Sequence, residues 1–321
     1  MSEIAVIGAG AWGTALAIQA ARAGRSVTLW ARDPARAAEM SRTRRTARLP
    51  GVALAETICV TAELPEASQA VLLAVPVQHL RGIAAGLAGR APVVVCAKGV
   101  EAGSQLFPLE ILAELHPGRA CAVLTGPNFA HEVAAGMPAA AVIAAADGAL
   151  RAHLATLLGT KQFRLYGNDD PLGAQIGGAA KNVIAIAAGA VIGAGLGENA
   201  RAALITRGIS ELSRLIVALG GRAETAMGLS GLGDLLLTCT GASSRNFSLG
   251  MALGRGEALA DILAARSAVT EGVATAPALV ARAAGIEMPI CAAVAAVVED
   301  RLSIASAIAT LLARPTRDEH A

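Results

Sequence analysis

Lys181 is the side chain of this 321-residue sequence best suited to transfer a proton. It stands between GGAA and NVIAIAAGA, where an ammonium group is costly to bury unless it is paired or faces a cleft. Desolvation lowers the pKa of such a group towards neutrality, so it could protonate a carbonyl oxygen beside a hydride donor. Only three of the 27 basic residues are lysines and the rest are arginines. This bias indicates that position 181 needs a lysine rather than an arginine. Asp234, after the glycine turn SGLG, could orient Lys181 or hold a substrate hydroxyl, and helix capping is its alternative role.

A phosphate group could bind at residues 243–246, which read SSRN before a predicted helix. Ser244 offers a hydroxyl, Arg245 a guanidinium and Asn246 an amide, at a helix N-terminus whose dipole also attracts anions. Helix capping without a ligand is the alternative. Together with Lys181, this segment indicates an enzyme whose substrate has both a reducible carbonyl and a phosphate.

The N-terminus is predicted to bind a nicotinamide dinucleotide. Residues 4–31 read as strand, glycine turn, helix and strand, with Gly8, Gly10 and Gly13 at G-x-G-x-x-G spacing. In this context Gly8 permits the tight turn, Gly10 leaves room for the pyrophosphate, and Gly13 lets the helix pack on the strand. A βαβ unit whose glycines serve packing alone is the alternative.

Cofactor preference should depend on the residues that end the second strand. NAD-binding sites usually place an acidic residue there, which holds the ribose 2′-hydroxyl. Here Arg32 comes first, and Asp33 follows directly before Pro34, where it could cap the next helix instead. Arg32 could pair with a 2′-phosphate, so we expect NADPH to be preferred, with NADH as the second cofactor and a solvated Arg32 as the alternative.

The elements that position these residues alternate between strand and helix through the first half of the chain. This alternation predicts an α/β N-terminal domain with a Rossmann-type, doubly wound, mostly parallel sheet. The predicted strands are 4–7, 27–31, 58–61, 70–75, 93–97, 121–125 and 139–145, and the helices after the second strand are 34–45, 77–87, 104–115 and 149–158.

Polar residues follow two of these strands, on the side where such sheets bind ligands. Lys98 follows 93–97, and a solvated surface lysine is its alternative role. Asn128 follows the turn Gly126-Pro127 and is predicted to cap a short helix through Val133, with or without a ligand at the helix N-terminus.

An all-α C-terminal domain is predicted beyond about Tyr166, since the strand pattern ends there. The predicted bounds are 1–166 for the dinucleotide-binding domain and 167–321 for the helical substrate domain. Asp169-Asp170-Pro171 is typical of a helix start. The predicted helices are 171–192, 201–219, 246–253, 259–266, 276–284 and 289–302, and glycines 177, 178, 189 and 193 in the first of them predict close helix–helix approach.

The composition argues against several other classes of protein. The net charge is +2 without a basic block interleaved with aromatic residues, so nucleic-acid binding is not expected. The longest uncharged apolar run, 182–197, is shorter than a membrane span needs, and the N-terminus lacks a signal-peptide pattern. The five cysteines lack C-x-x-C spacing, and the histidines and acids lack metal-ligand spacing, so we expect a cytoplasmic protein with reduced thiols and no metal.

The sequence resembles bacterial NAD(P)-dependent glycerol-3-phosphate dehydrogenases nearly from end to end. The matching segments, in order, are GAGAWGTALA at 8–17, LWARDP at 29–34, KGVE at 98–101, GPNFAHE at 126–132, AAKN at 179–182, SGLGDLLLTC at 230–239, SSRN at 243–246 and TEG at 270–272. The resemblance implies reduction of dihydroxyacetone phosphate to sn-glycerol 3-phosphate for glycerophospholipid synthesis. It also implies a homodimer.

The resemblance also implies roles for individual residues. Lys181 would donate or accept the proton, with Asp234 as the second catalytic residue. The substrate would be surrounded by Lys98, Gly126, Asn128, Lys181, Asp234, Ser244, Arg245 and Asn246. The cofactor would contact the glycine loop and Ala11, Trp12, Arg32, Lys98, Ala130, Arg245, Val269 and Glu271. The family often has serine in place of Ala11 and Asn128, so a hydroxyl contact to the pyrophosphate is missing at the first position.

Two other classes remain as alternatives. The β-hydroxyacid dehydrogenases, including the 6-phosphogluconate type, also have a glycine loop and a lysine on a helix. Their pattern places an asparagine several positions beyond the lysine, whereas Lys181 and Asn182 are adjacent here. A non-catalytic NADP sensor would account for the glycine loop but not for Lys181, Asp234 and the SSRN segment.

Overall fold

An eight-stranded sheet forms the first half of the chain in the computed structural model, which describes residues 2–241, 243–266 and 269–315. The strands are β1 Ser2–Ile7, β2 Val27–Trp30, β3 Ile58–Thr61, β4 Ala67–Leu73, β5 Val93–Val95, β6 Cys121–Thr125, β7 Ala139–Ala144 and β8 Phe163–Asn168. Their order is β3-β2-β1-β4-β5-β6-β7-β8, and neighbouring strands are parallel except β6 and β7. The predicted mostly parallel, doubly wound sheet is confirmed.

Both faces of this sheet are buried. In β1, Ile4 and Val6 belong to one apolar core and Ala5 and Ile7 to another, because successive side chains of a strand point to opposite faces. The helices of this half are α1 Ala11–Arg22, α2 Pro34–Thr43, α3 Val77–Ala84, α4 Pro108–Leu115, α5 Ala130–Ala135 and α6 Gly148–Leu158.

The sheet order reverses at β1, which lies between β2 and β4. Ile4 pairs with Val27 on one side and with Ala70 on the other. The chain therefore leaves β1 and β4 towards opposite faces, and a crevice forms beyond their carboxyl ends. The glycine turn follows β1 directly, so it lies at this crevice.

The rest of the described chain contains helices and the loops between them, and no strand. The helices are α7 Pro171–Gly193, α8 Gly197–Ala218, α9 Ala223–Met227, α10 Asp234–Thr240, α11 Arg245–Gly254, α12 Leu259–Ala264, α13 Glu271–Arg282, α14 Pro289–Val298 and α15 Ile304–Leu312, with a π-helical turn at Leu229–Gly233. The predicted all-α second half is confirmed.

The central element of this half is α7. It begins as predicted: the Asp170 carboxylate caps it by accepting from Gly173 N at 2.8 Å, and Pro171 is its first residue. A Cβ on Gly189 would lie 2.0 Å from Phe247 O, and one on Gly193 would lie 2.1 Å from Met251 O, so glycine permits α11 to pack directly on the α7 backbone. By length and composition α7 could cross a membrane, but 89% of its most apolar window is buried inside the protein.

Several predicted elements differ from the structure. The strand β8 was not predicted, because it is an edge strand with exposed Arg164 and Tyr166 and so lacks an apolar run. The short helices α9, α10 and α15 were also not predicted. The predicted start of α13 at residue 276 is wrong, because Pro277 lies inside this helix rather than in its first turn.

The proposed domain bounds remain a prediction. The sheet continues to Asn168, which pairs with Ala144, and α7 begins at Pro171. The ends of the two predicted ranges, Met1 and 316–321, lie outside the described residues.

Candidate functional site

The glycine turn between β1 and α1 has the geometry that a dinucleotide needs. Gly8 has a φ of +114°, and a Cβ on it would lie 2.7 Å from Ala74 O. A Cβ on Gly13 would lie 1.9 Å from Gly8 O, so only glycine lets α1 approach β1 this closely. A Cβ on Gly10 would meet no atom within 4 Å, so open space lies in front of the turn.

The N-terminus of α1 offers donors to a ligand in this space. Gly10 is the N-cap and Ala11 the first helical residue, so the first backbone N–H groups of α1 have no partner within the helix. Nε1 of Trp12 is buried and has no hydrogen-bond acceptor in the described ranges. Unpaired donors and a positive helix end favour an anionic group, so the pyrophosphate of a dinucleotide fits this turn.

Arg32 and Asp33 lie just beyond the end of β2 and have different surroundings. Arg32 is exposed. Asp33 caps α2, because its carboxylate accepts from Ala35 N at 2.9 Å. The helix-capping alternative for Asp33 is therefore confirmed, whereas the pairing of Arg32 with a 2′-phosphate remains a prediction.

A buried carboxylate holds two lysines together at the carboxyl edge of the sheet. Asp234 is 1% exposed; its Oδ1 accepts from Lys181 Nζ at 2.5 Å and its Oδ2 from Lys98 Nζ at 2.6 Å. Lys98 also donates to Gly126 O at 3.2 Å, and Lys181 donates to Thr238 Oγ1 at 3.0 Å. Four of the predicted site residues thus form one network.

Three separate elements carry this network. Lys98 follows β5, Lys181 lies in the middle of α7, and Asp234 begins α10. A Cβ on Gly178, one turn before Lys181, would lie 3.3 Å from Lys98 Cγ, so glycine leaves room for the Lys98 side chain between β5 and α7. The N-cap of α10 is Gly233, so the alternative role of Asp234 as an N-cap is wrong.

Burial and mutual charge set the ionisation of the network. Burial lowers the pKa of Lys181 to about 8, with Lys98 acting in the same direction and the Asp234 carboxylate opposing both. Burial alone would raise the pKa of Asp234, but the two ammonium groups outweigh it and hold that pKa below its usual range. A lysine with a pKa near neutrality beside a fixed carboxylate can exchange a proton with a ligand.

The N-terminus of α11 carries the SSRN segment. Ser244 is the N-cap, and its Oγ accepts from Phe247 N at 3.2 Å. Arg245 is exposed, and its Nη1 donates to Val269 O at 2.8 Å. Helix capping by Ser244 is thus observed, and it is compatible with an anion at the same N-terminus.

Two buried amides join the helices around Lys181. Asn246 Nδ2 donates to Asn182 Oδ1 at 2.9 Å, and Asn246 Oδ1 accepts from Gly272 N at 3.1 Å. A Cβ on Gly272 would lie 2.6 Å from that same Oδ1, so the TEG segment needs its glycine there. Asn182 and Asn246 therefore fix the start of α13 against α7 and α11.

Glu271 connects the helical half to the sheet half. Glu271 is the first residue of α13, and the backbone N–H of Val77 at the start of α3 lies close enough to its carboxylate to favour the ionised form. Burial raises the pKa of Glu271 to about 7, against the opposing charges of Arg245, Lys98 and Lys181. The TEG segment is thus close to the lysine network and to the crevice.

The turn after β6 departs from its prediction. The N-cap of α5 is Phe129, so the predicted capping by Asn128 is wrong. Asn128 Nδ2 instead donates to Ala140 O at 3.1 Å, because antiparallel β7 brings that carbonyl beside the turn. Its Oδ1 is buried without a donor in the part of the chain that the structure describes. Ala130 is the first residue of α5.

Two polar contacts at the site were missed in the sequence. Thr238 lies one turn after Asp234 in α10, and its spacing of four residues was the available signal. Arg36 lies three residues after Asp33; its Nη2 donates to Ala9 O in the glycine turn and to Thr46 Oγ1 at 3.3 Å. No local pattern distinguishes Arg36 from the neighbouring exposed arginines.

Comparison with known protein families gives a match over both halves of the chain. Residues 3–151 match the model described as the NAD-dependent glycerol-3-phosphate dehydrogenase N-terminus. Residues 170–309 match the model described as the C-terminus of the same family.

Individual relatives are similar over their whole length. A glycerol-3-phosphate dehydrogenase [NAD(P)+] of Acidiphilium cryptum is 56% identical over 320 residues, which cover 99% of this chain and 98% of the relative. One from Gluconobacter oxydans is 53% identical over 323 residues, with 99% and 98% covered. The crystal structure of glycerol-3-phosphate dehydrogenase from Coxiella burnetii is 36% identical with a TM-score of 0.92, covering 97% of this chain and 98% of that one.

Proposed function

The chain belongs to the NAD-dependent glycerol-3-phosphate dehydrogenase family, and we propose that it reduces dihydroxyacetone phosphate to sn-glycerol 3-phosphate with NAD(P)H. Membership of this family removes the 6-phosphogluconate-type enzyme and the non-catalytic sensor as alternatives. The observation that best supports the assignment of roles is the pairing of Lys181 and Lys98 on the buried carboxylate of Asp234.

The glycine turn and the start of α1 would hold the cofactor. Gly8, Gly10 and Gly13 leave the space for its pyrophosphate, and the N–H groups from Ala11 onwards and Trp12 Nε1 would donate to it. When bound, the cofactor supplies a hydride to the carbonyl carbon. Contacts of Arg32, Ala130, Val269 and Glu271 with the cofactor are proposed from the family resemblance.

Lys181 would protonate the oxygen that becomes the product hydroxyl. Its pKa of about 8 lets it be protonated at neutral pH and still release the proton. Asp234 accepts from Lys181 and so holds the ammonium group in place, while Lys98, bonded to the other carboxylate oxygen, adds a positive charge beside the developing negative charge. In the reverse direction neutral Lys181 would accept the proton of the substrate hydroxyl.

The substrate phosphate would bind at the N-terminus of α11. The helix dipole, the hydroxyl of Ser244, the guanidinium of Arg245 and the amide of Asn246 all favour an anion there. Asn246 also contacts Asn182, the neighbour of Lys181 in α7, so the phosphate end and the proton donor are fixed relative to each other. Gly126 and Asn128, on the turn after β6, would border the substrate on the sheet side.

Two assays test the function. The first measures oxidation of NADPH with dihydroxyacetone phosphate and with a panel of 2-keto acids. The second runs in the reverse direction and uses 6-phosphogluconate. We expect turnover with dihydroxyacetone phosphate alone. Turnover restricted to a keto acid or to 6-phosphogluconate would overturn it.

Arg245→Ala should raise the KM for dihydroxyacetone phosphate about 10- to 150-fold, since a hydrogen bond to a charged group contributes roughly 1.5–3 kcal/mol. Steady-state kinetics with varied substrate measures this, and the affinity for NADPH should also fall because Arg245 lies beside Val269. Arg255→Ala, at the far end of α11 in an exposed ion pair with Glu257, is the matched control. If Arg245→Ala has wild-type KM values for dihydroxyacetone phosphate and for NADPH, the SSRN segment only caps α11 and does not bind the phosphate.

Arg32→Glu should weaken NADPH binding more than NADH binding, because it replaces a donor for the 2′-phosphate by a repelling charge. The ratio of kcat/KM for the two cofactors measures this preference. Arg90→Glu, an equal charge change at an exposed loop position away from the crevice, should leave the ratio unchanged. An equal loss of kcat/KM for NADPH and NADH would show that Arg32 does not bind the 2′-phosphate.

We further propose that the protein works in the cytoplasm as a homodimer and supplies sn-glycerol 3-phosphate to glycerophospholipid synthesis. All five cysteines lie in the described residues and none is in a disulfide, which suits a reducing compartment. The dimer rests on the family resemblance, and sedimentation equilibrium would test it.

A further inference from the structure

Lys98 lies near the start of the loop that joins β5 to α4. Next to it, Gly99 has a φ of +152°, and a Cβ on it would lie 2.6 Å from Thr275 Oγ1, so the loop approaches α13 closely at this point. Further along the loop, Val100 and Phe107 are fully buried in the apolar core of the helical half. The loop that carries Lys98 is therefore packed against the helical half by apolar contacts.

Glu101 joins this loop to α3. It is buried, and its carboxylate accepts from Arg81 Nε at 3.0 Å and from Arg81 Nη2 at 2.8 Å. The same carboxylate accepts from Ser104 Oγ within the loop, and Glu101 N donates to Leu106 O at 3.0 Å. The hydrogen bonds from Arg81 hold the pKa of Glu101 below its usual range, although burial opposes them. One carboxylate thus closes the loop on itself and ties it to a helix of the sheet half.

Gln78 contacts the backbone on both sides of Glu101. It lies three residues before Arg81 in α3, so the two side chains extend from the same side of the helix. Gln78 Nε2 donates to Val100 O at 2.9 Å, and Gln78 Oε1 accepts from Ala102 N at 2.9 Å. This part of the loop is therefore fixed relative to α3 by polar contacts as well.

The position of Lys98 affects Lys181, because both ammonium groups share the Asp234 carboxylate. Burial lowers the pKa of Lys181, and the charge of Lys98 lowers it further, against the opposing charge of Asp234. Among the described residues, the other titratable groups near Lys181 are Glu271, whose pKa is about 7, and the Cys239 thiol, whose pKa burial raises to about 12. The ionisation of Lys181 is thus a measure of whether Lys98 is in place.

We propose that Glu101 is a positioning residue that keeps Lys98 on the Asp234 carboxylate. It does so by holding the loop against α3 through its contact with Arg81. This inference rests on the proposed function and adds to it a residue that acts without touching the substrate. Without Glu101 the apolar side chains still pack the loop on the helical half, but Lys98 can move away from Asp234. A displacement of about 1 Å in an active site can lower a rate about 10²-fold.

Titration of the lysine Nζ signals by NMR tests the proposal on the full chain, without substrate or cofactor. The chain has only three lysines, at 98, 161 and 181, so protein labelled with ¹⁵N-lysine gives few signals to assign. In Glu101→Ala the pKa of Lys181 should rise above about 8, because a displaced Lys98 no longer lowers it. Loss of the negative charge of Glu101 would by itself lower this pKa, so the direction of the shift separates positioning from a charge effect.

Glu114→Ala is the matched control. Glu114 is an exposed residue of α4, outside the loop, and accepts from Nη1 of the same Arg81 at 2.8 Å. This variant should leave the pKa of Lys181 at its wild-type value. Gln78→Met keeps the length of the side chain but removes its amide, so it should raise the pKa of Lys181 by less than Glu101→Ala does. It decides the question if Glu101→Ala does not fold.

Steady-state kinetics of the same variants give a second measurement. The kcat/KM for dihydroxyacetone phosphate should fall about 10- to 100-fold in Glu101→Ala and stay unchanged in Glu114→Ala. An unchanged or lowered pKa of Lys181 in folded Glu101→Ala would overturn the proposal, and so would an equal rise in Glu114→Ala. Because the NMR titration contains no substrate, it tests the role of Glu101 even if dihydroxyacetone phosphate is not reduced. Turnover by the wild-type protein in turn tests the proposed function alone, so the two failures are distinguishable.

Discussion

We expect replacement of Lys181 by arginine to abolish turnover, although the positive charge is kept. Arginine stays protonated and cannot give up its proton at the pH of the reaction, whereas burial brings the pKa of Lys181 to about 8. General acid catalysis is typically worth about 10²- to 10⁴-fold, so kcat should fall by at least that range in Lys181→Arg and in Lys181→Ala. If Lys181 only polarised the carbonyl, the arginine variant would keep most of its activity.

Stopped assays measure kcat, and fluorescence titration measures the binding of NADPH. Together they distinguish proton transfer by Lys181 from polarisation of the carbonyl. NADPH and dihydroxyacetone phosphate should still bind to Lys181→Arg, which excludes a steric cause for the lost turnover. Lys161→Arg, the same exchange at an exposed lysine, is the matched control and should behave as wild type. A Lys181→Arg enzyme within about tenfold of the wild-type kcat would rule out proton transfer by this residue.

Replacement of Asp234 by asparagine should have the second largest effect. The exchange keeps the shape of the side chain but removes the negative charge that Lys181 and Lys98 share at 2.5 and 2.6 Å. The lysines then repel each other without compensation, so the pKa of Lys181 falls below its present value of about 8. We expect kcat for reduction at neutral pH to fall by about 10²-fold or more, since the proton donor is then largely deprotonated.

The pH profile of the reduction gives the sign of this effect. Reduction needs the protonated form of Lys181, so wild-type kcat should be full at low pH and fall as the pH rises through about 8. In Asp234→Asn this falling limb should move to lower pH. Oxidation of glycerol 3-phosphate needs neutral Lys181, so the rising limb of its pH profile should also move to lower pH. Asp169→Asn, in an exposed ion pair with Arg222, is the control and should keep the wild-type profile. An unmoved limb in Asp234→Asn would show that the carboxylate does not set the ionisation of Lys181.

Stability must be measured beside these rates. Removing one partner of a buried ion pair costs about 3–5 kcal/mol in known cases, because the remaining charge is left uncompensated. Urea unfolding of Asp234→Asn should therefore show a lower free energy of unfolding, with a folded protein at low urea. Kinetic comparison is valid only under conditions where the variant is folded.

The features that the sequence predicted correctly depend on residues close together in the chain. The strand, glycine turn and helix at the N-terminus follow from backbone sterics: Gly8 has a positive φ, and a Cβ on Gly13 would overlap Gly8 O. The start of α7 follows from Asp170 and Pro171, whose effects extend over one helical turn. The family resemblance added the activity, because its motifs occur in the same order.

Local patterns failed where a partner comes from a distant segment. Asn128 was predicted to cap a helix, but β7 offers it the carbonyl of Ala140. The strand β8 has no apolar run, and it is a strand because Phe163–Asn168 pairs with the free edge of β7. In both cases tertiary contact decided between conformations that the local sequence allows equally.

The sequence by itself determined the residue types at the site, namely a lysine in an apolar helix, a carboxylate after a glycine turn and the SSRN segment before a helix. Only the tertiary structure decided which of them meet. Asp234 lies 53 residues from Lys181 and 136 from Lys98, and Arg36 reaches Ala9 across 27 residues. Such pairings depend on the packing of whole elements, whose free energy is summed over many buried side chains, so no spacing within one segment encodes them.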